Sequence, residues 1–167
     1  MRAGASLAIP SGMQPRPSMV VLLEHVHQHG LADRMAAARA LLATLRMLGE
    51  RLHDPEAAAL ARALPLELRR VVEETEYDRD FDANEAYRRL AHVMGVPYED
   101  ARAQSDIVMR ALGEIIGGDL VTRLERVLPE RLTRTLRPVE YAAPTPYRAS
   151  GIWHTIAAHS RGHHPSR

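Results

Sequence analysis

Arg46-Met47-Leu48-Gly49-Glu50 returns sixty-four residues later as Arg110-Ala111-Leu112-Gly113-Glu114. Ten residues beyond each Glu the same frame holds. Leu60-x-x-x-Leu64-Pro65-x-x-Leu68 is matched by Leu124-x-x-x-Leu128-Pro129-x-x-Leu132 without a gap. Two matches in one frame mark an internal duplication. Each copy reads as helix, long helix, short helix, proline, short helix. Four short helices bury little apolar surface alone, so the two copies are expected to pack face to face. The fold class that follows is all-α: a compact helical bundle of two sequence-related four-helix repeats with approximate internal twofold symmetry.

Composition supports helices. Aromatic residues make up only 4% of the 167 residues, so the core must come from Leu, Val, Ile, Met and Ala. The absence of cysteine excludes disulfides, thiolate catalysis and thiolate metal ligation. All 22 basic residues are Arg, which excludes Schiff-base and Walker-type lysine chemistry. A net charge of +1 provides no field to gather nucleic acid, which is not an expected partner. No apolar run approaches the ~20 residues of a membrane span. The run Ala5 to Ile9, cut by Pro10, is too short for a signal peptide. A cytoplasmic protein without a membrane partner is expected.

Working outward from the repeat, Pro10, Pro15 and Pro17 mark residues 1–17 as a disordered leader. Repeat one covers 18–76. Ser18 caps its first helix and Gly30 stops it. Its long helix runs from about Asp33 to Leu52 with Leu41, Leu45, Leu48 and Leu52 as one stripe. Asp54-Pro55-Glu56 opens the third helix with Asp54 as N-cap, and Pro65 breaks it. Repeat two covers 81–137. Asp82 and Glu85 form a capping-box pattern, Gly95 ends the first helix, and Pro97 opens the long one. Residues 138–167 form a Pro-rich linker and a tail, in which Ile152, Trp153 and Ile156 share one face of a short helix.

The Arg-x-Leu-Gly-Glu helix, the Leu-x-x-x-Leu-Pro-x-x-Leu ending and the Phe81-Asp82 start of the second copy resemble a bacterial family known as domain of unknown function 2267. The resemblance covers about Val20 to Leu136. It implies a duplicated, all-helical, soluble bacterial domain and carries over no catalytic residue. Two departures stand out. Val127 replaces the Gln usual before the second Leu-Pro, and Ser105-Asp106 stand where the first copy has Leu41-Leu42.

Four sets of residues are candidates for chemistry. Arg46/Glu50 and Arg110/Glu114 are i,i+4 pairs that could line a small ligand site between the repeats. Read as packing code, they tie each long helix to its own copy, with Gly49 and Gly113 kept for close approach. The acidic run Glu73 to Glu85 begins like a calcium loop, but Ala83 and Arg89 occupy the positions that need Gly and Glu. It reads as a solvated linker. His25 and His29 lie four apart on one helix face with His27 between them. Such a pair can chelate zinc or nickel, yet nothing at telling spacing supplies a third ligand, so the histidines read as surface imidazoles. No metal or cofactor is therefore expected. No nucleophile elbow or other catalytic motif is present.

These readings favour a non-enzymatic protein-binding or assembly module. Ile152, Trp153 and Ile156 would dock a protein partner or a second copy. The alternative is a small-ligand or metal-responsive sensor using the inter-repeat groove lined by Arg46, Glu50, Arg110 and Glu114. Function is expected where the two halves differ and where the repeat has ended.

Overall fold

The computed structural model describes residues 18–137. The leader 1–17 and the tail with Ile152, Trp153 and Ile156 lie outside these residues. Eight helices and no strand are found among the described residues. They are α1 Met19–Gln28, α2 Arg34–Arg51, α3 Asp54–Ala63, α4 Leu66–Glu73, α5 Ala83–Met94, α6 Tyr98–Ile116, α7 Gly118–Val127 and α8 Glu130–Thr133.

Helix boundaries follow local chemistry. The Ser18, Asp33 and Asp82 side chains accept hydrogen bonds from the amides of Val21, Met35 and Glu85, so each caps the helix that follows it. Gly95 closes α5 in the left-handed region at φ 66°, where a side chain would be strained. Pro65 and Pro129 each sit at the junction of two helices, in an extended conformation that ends one and starts the next. Two details differ from the sequence reading. His53, not Asp54, is the N-cap of α3, and Pro55 falls inside the first turn. Glu85 does not complete a capping box, because its carboxylate accepts from Arg79 and Arg89 instead.

The long helices α2 and α6 pack against each other at the centre. α1 lies on α6, α5 lies on α2, and α3 meets α7. Leu41, Leu45, Leu48 and Leu52 of the first stripe are buried with Val108, Leu112 and Ile116 of the second. Each fully buried aliphatic side chain contributes about 1.5–3 kcal/mol relative to exposure. The linker 74–82 is tied back to the body. Asp78 donates its amide to the Glu50 carbonyl, and Asp80 accepts from the Arg51 guanidinium.

Candidate functional site

The repeated Arg/Glu pairs separate in space. Arg46 is exposed and lies 3.8 Å from Glu50, too long for a strong bond. Glu50 instead accepts at 3.1 Å from Arg89 of α5. Arg110 forms no ion pair with Glu114 within 4.0 Å; Glu114 turns to α1. Arg46 and Glu50 line one surface cavity with Arg89, whereas Glu114 lines another with Arg137. The four residues do not converge on one pocket.

Glu114 meets the two histidines that the sequence left without a third group. His25 Nδ1 lies 2.5 Å from one carboxylate oxygen, and His29 Nε2 lies 2.7 Å from the other. The i,i+4 spacing sets both imidazoles on the same face of α1, and the packing of α1 on α6 brings that face to the end of the long helix. The His25, His29 and Glu114 side chains are 31%, 23% and 27% exposed. Burial raises the Glu114 carboxyl, but the two imidazole hydrogen bonds together outweigh it and hold the group below its ordinary value. His27 points elsewhere. Its Nδ1 lies 3.3 Å from the Leu31 carbonyl oxygen.

The echoed sequence offers a comparison for the placement of Glu114. A shift of sixty-four residues carries Glu50 onto Glu114 and His25 onto Arg89. Both pairs are in contact, and both cross from one half of the chain to the other. In one half the partner is a guanidinium. In the other it is an imidazole, reinforced by a second imidazole one turn along. Arg89 is the centre of the first link: it also bonds Asp78 at 2.7 Å and Glu85 at 2.9 Å, and lies 4.3 Å over the Phe81 ring. A register comparison of the two halves makes the His25–Glu114 contact the counterpart of Arg89–Glu50, but the packing of the helices is what pairs either of them.

A second feature lies round α1 from the imidazoles. Val20 and Leu23 of α1 face Leu31 and Met35 across a groove of about 540 Å³, with His27 on its edge. Val20 and Met35 are 69% and 72% exposed.

The pattern of one protein family, described as "Uncharacterized conserved protein (DUF2267)", matches residues 21–160. The chain belongs to this family. No curated protein matches it. The DUF2267 match begins inside α1 and runs past the last described helix, so it takes in the His/Glu cluster, most of the groove and Ile152, Trp153 and Ile156 alike. Among the described residues of this DUF2267 protein, no helix is long and apolar enough to cross a membrane.

Proposed function

We propose that the chain is a non-enzymatic binding module of the bacterial cytoplasm. Its docking surface is the groove between α1 and α2, and its occupant is the C-terminal segment around Ile152, Trp153 and Ile156. The observation that carries this reading is the groove, where Val20 and Met35 stand largely in solvent above Leu23 and Leu31. A contiguous apolar surface of this kind marks an interaction site. Ile152, Trp153 and Ile156 have the spacing of an amphipathic helix that lays one face into a groove. Ile152 lies fifteen positions after Arg137, and fifteen extended residues span about 50 Å. The family pattern includes this segment together with most of the groove.

We read α1–α4 and α5–α8 as the two copies of an approximately twofold unit. The packing of α1 on α6, mirrored by α5 on α2, supports that reading. The alternative, a sensor with a ligand between the repeats, draws no support from these residues: Arg46 and Glu50 line one cavity, Glu114 lines another, and Arg110 lines neither.

Trp153 is the chain's only tryptophan, so its emission reports docking directly. Docked, it emits to the blue of free indole. Met35→Glu and Val20→Glu, both at exposed positions, shift the emission to the red with helical circular dichroism unchanged. A wild-type emission equal to that of free indole, or a blue emission indifferent to both substitutions, rejects the groove. Dilution releases an intermolecular contact and leaves an intramolecular one intact.

A further inference from the structure

We propose that His25, His29 and Glu114 form a site for one divalent transition-metal ion of the zinc class, bridging α1 and α6. The site stands independently of the groove. One ligand atom from each residue lies within 4.8 Å of the other two. A tetrahedral zinc ion with bonds of about 2.1 Å sets its ligand atoms about 3.4 Å apart. The His25 contact with its Glu114 oxygen must therefore open by under ~1 Å, and any separation, at most 4.8 Å, must close by under ~1.5 Å. Side-chain rotation at three partly exposed residues supplies both.

Three observations favour a metal over a plain polar clamp. First, the ligand types match: two imidazoles and a carboxylate are a borderline donor set suited to zinc, nickel or cobalt. Second, no guanidinium among the described residues lies within 4.0 Å of the Glu114 carboxylate. Among the described residues its only ion-pair partners are the two histidines. Third, the other half of the chain achieves the equivalent link to Glu50 with Arg89, which binds no metal. A clamp alone needs no imidazole pair. The His/Glu version exchanges a permanent cation for a place where one can bind and leave.

Three protein ligands leave coordination positions for water. Glu114 also lines an open cleft of about 830 Å³ beside Gly117 and Thr122, which gives solvent a path to the ion. Closed four-ligand sites are structural, whereas three protein ligands keep a position open to water. The ion is a staple between α1 and α6 and not a condition for folding, because the two helices already pack through buried aliphatic side chains.

The test uses the full chain, stripped with chelator and titrated with zinc chloride in a calorimeter. The wild type binds one ion at this site, and thermal melting moves upward with added zinc. His25→Ala/His29→Ala and Glu114→Gln each raise the dissociation constant about 100-fold or more, and both lose the zinc-dependent rise in melting temperature. His27→Ala changes neither. The cobalt form of the wild type shows visible d–d absorption that both ligand variants lose. Circular dichroism without metal establishes that the variants are folded. A one-to-one binding event that survives in the double His variant or in Glu114→Gln places the ion on other histidines, such as those of the tail, and overturns the proposal. Absence of saturable binding in the wild type overturns it too.

Discussion

Arg89 stands in the second half of the chain where His25 stands in the first, and each reaches across to the other half's long helix. An Arg89 nitrogen lies 3.1 Å from Glu50, and His25 Nδ1 lies 2.5 Å from Glu114. A guanidinium is charged at every pH of interest and donates in a fixed fork. An imidazole changes charge near neutrality and ligates metals. One position thus carries two chemistries in one molecule, and substituting one for the other separates stability from metal response.

His25→Arg is expected to keep an ionic link to Glu114 and to cost less than about 1 kcal/mol in stability, the range of partly exposed ion pairs. The same variant abolishes the rise in melting temperature on adding zinc. Chemical denaturation with and without zinc checks both halves of the statement. A zinc response that persists in His25→Arg contradicts it.

Arg89→Ala removes three carboxylate partners and the stack on Phe81 together. The Asp78 hydrogen bond is the largest influence holding Arg89 in its charged form, well above the ordinary arginine value. Deleting it leaves Glu50, Asp78 and Glu85 close together without their shared cation. A loss of about 2 kcal/mol is expected from the charge-assisted bonds and the cation–π contact. Arg89→Lys recovers only part of this, because an ammonium lacks the planar fork. Urea midpoints of the two variants against wild type provide the comparison.

The two echoed glycines are expected to behave differently. A Cβ at Gly113 would lie 1.7 Å from the Leu136 carbonyl oxygen, a collision with backbone. A Cβ at Gly49 would lie 2.8 Å from the Thr75 Cβ, a side-chain neighbour at the end of α4. Gly113→Ala therefore costs about 3 kcal/mol or more, at the top of the overpacking range. Gly49→Ala regains about 1 kcal/mol of helix propensity against a smaller clash that still forces Thr75 to shift, and its net cost is about 1–2 kcal/mol, below that of Gly113→Ala. Equal losses in the two variants would contradict the contacts.

The Tyr87 hydroxyl lies 3.0 Å from the Arg131 carbonyl oxygen and 3.2 Å from an Asp106 oxygen. Burial, followed by the neighbouring Asp106 carboxylate, pushes its phenol up to about 12. An unfolded tyrosine titrates near 10, so the unfolded chain gives up this proton first. The stabilisation is complete below about pH 10 and is lost as pH rises toward about 12. Tyr87→Phe costs about 1–2 kcal/mol at neutral pH by leaving the Arg131 carbonyl short of a donor. It also flattens the alkaline decline in melting temperature. A decline of undiminished slope in Tyr87→Phe would assign it to other groups.

Much of the fold was legible because it rests on local signals. Ser18, Asp33, Asp82, Gly95, Pro65 and Pro129 act within a turn of their own positions, and the Leu stripes have helical spacing that sequence displays directly. The site was not legible by the same route. His25 and Glu114 lie 89 residues apart, so no spacing rule joins them. Arg110 looked like the natural partner of Glu114 because i,i+4 neighbours are the pairs a sequence reveals. The crossing of α1 onto α6 decided otherwise. Ser105-Asp106, which interrupts the second stripe, shows the same limit. Asp106 accepts from Tyr87 and Arg134, two residues that sequence distance conceals.

The Leu136 backbone, seated against Gly113, has a bearing on everything that follows it in the chain. It fixes the departure point of residues 138–167 one residue from Glu114, in a cleft whose wall includes Arg137. A group carried on a short tether acts at an effective concentration on the order of millimolar, whatever the amount of protein in the cell. His154, His159, His163 and His164 follow in the sequence. Were any of them to reach Glu114, its competition with a free ligand would be set by the linking chain and not by expression level.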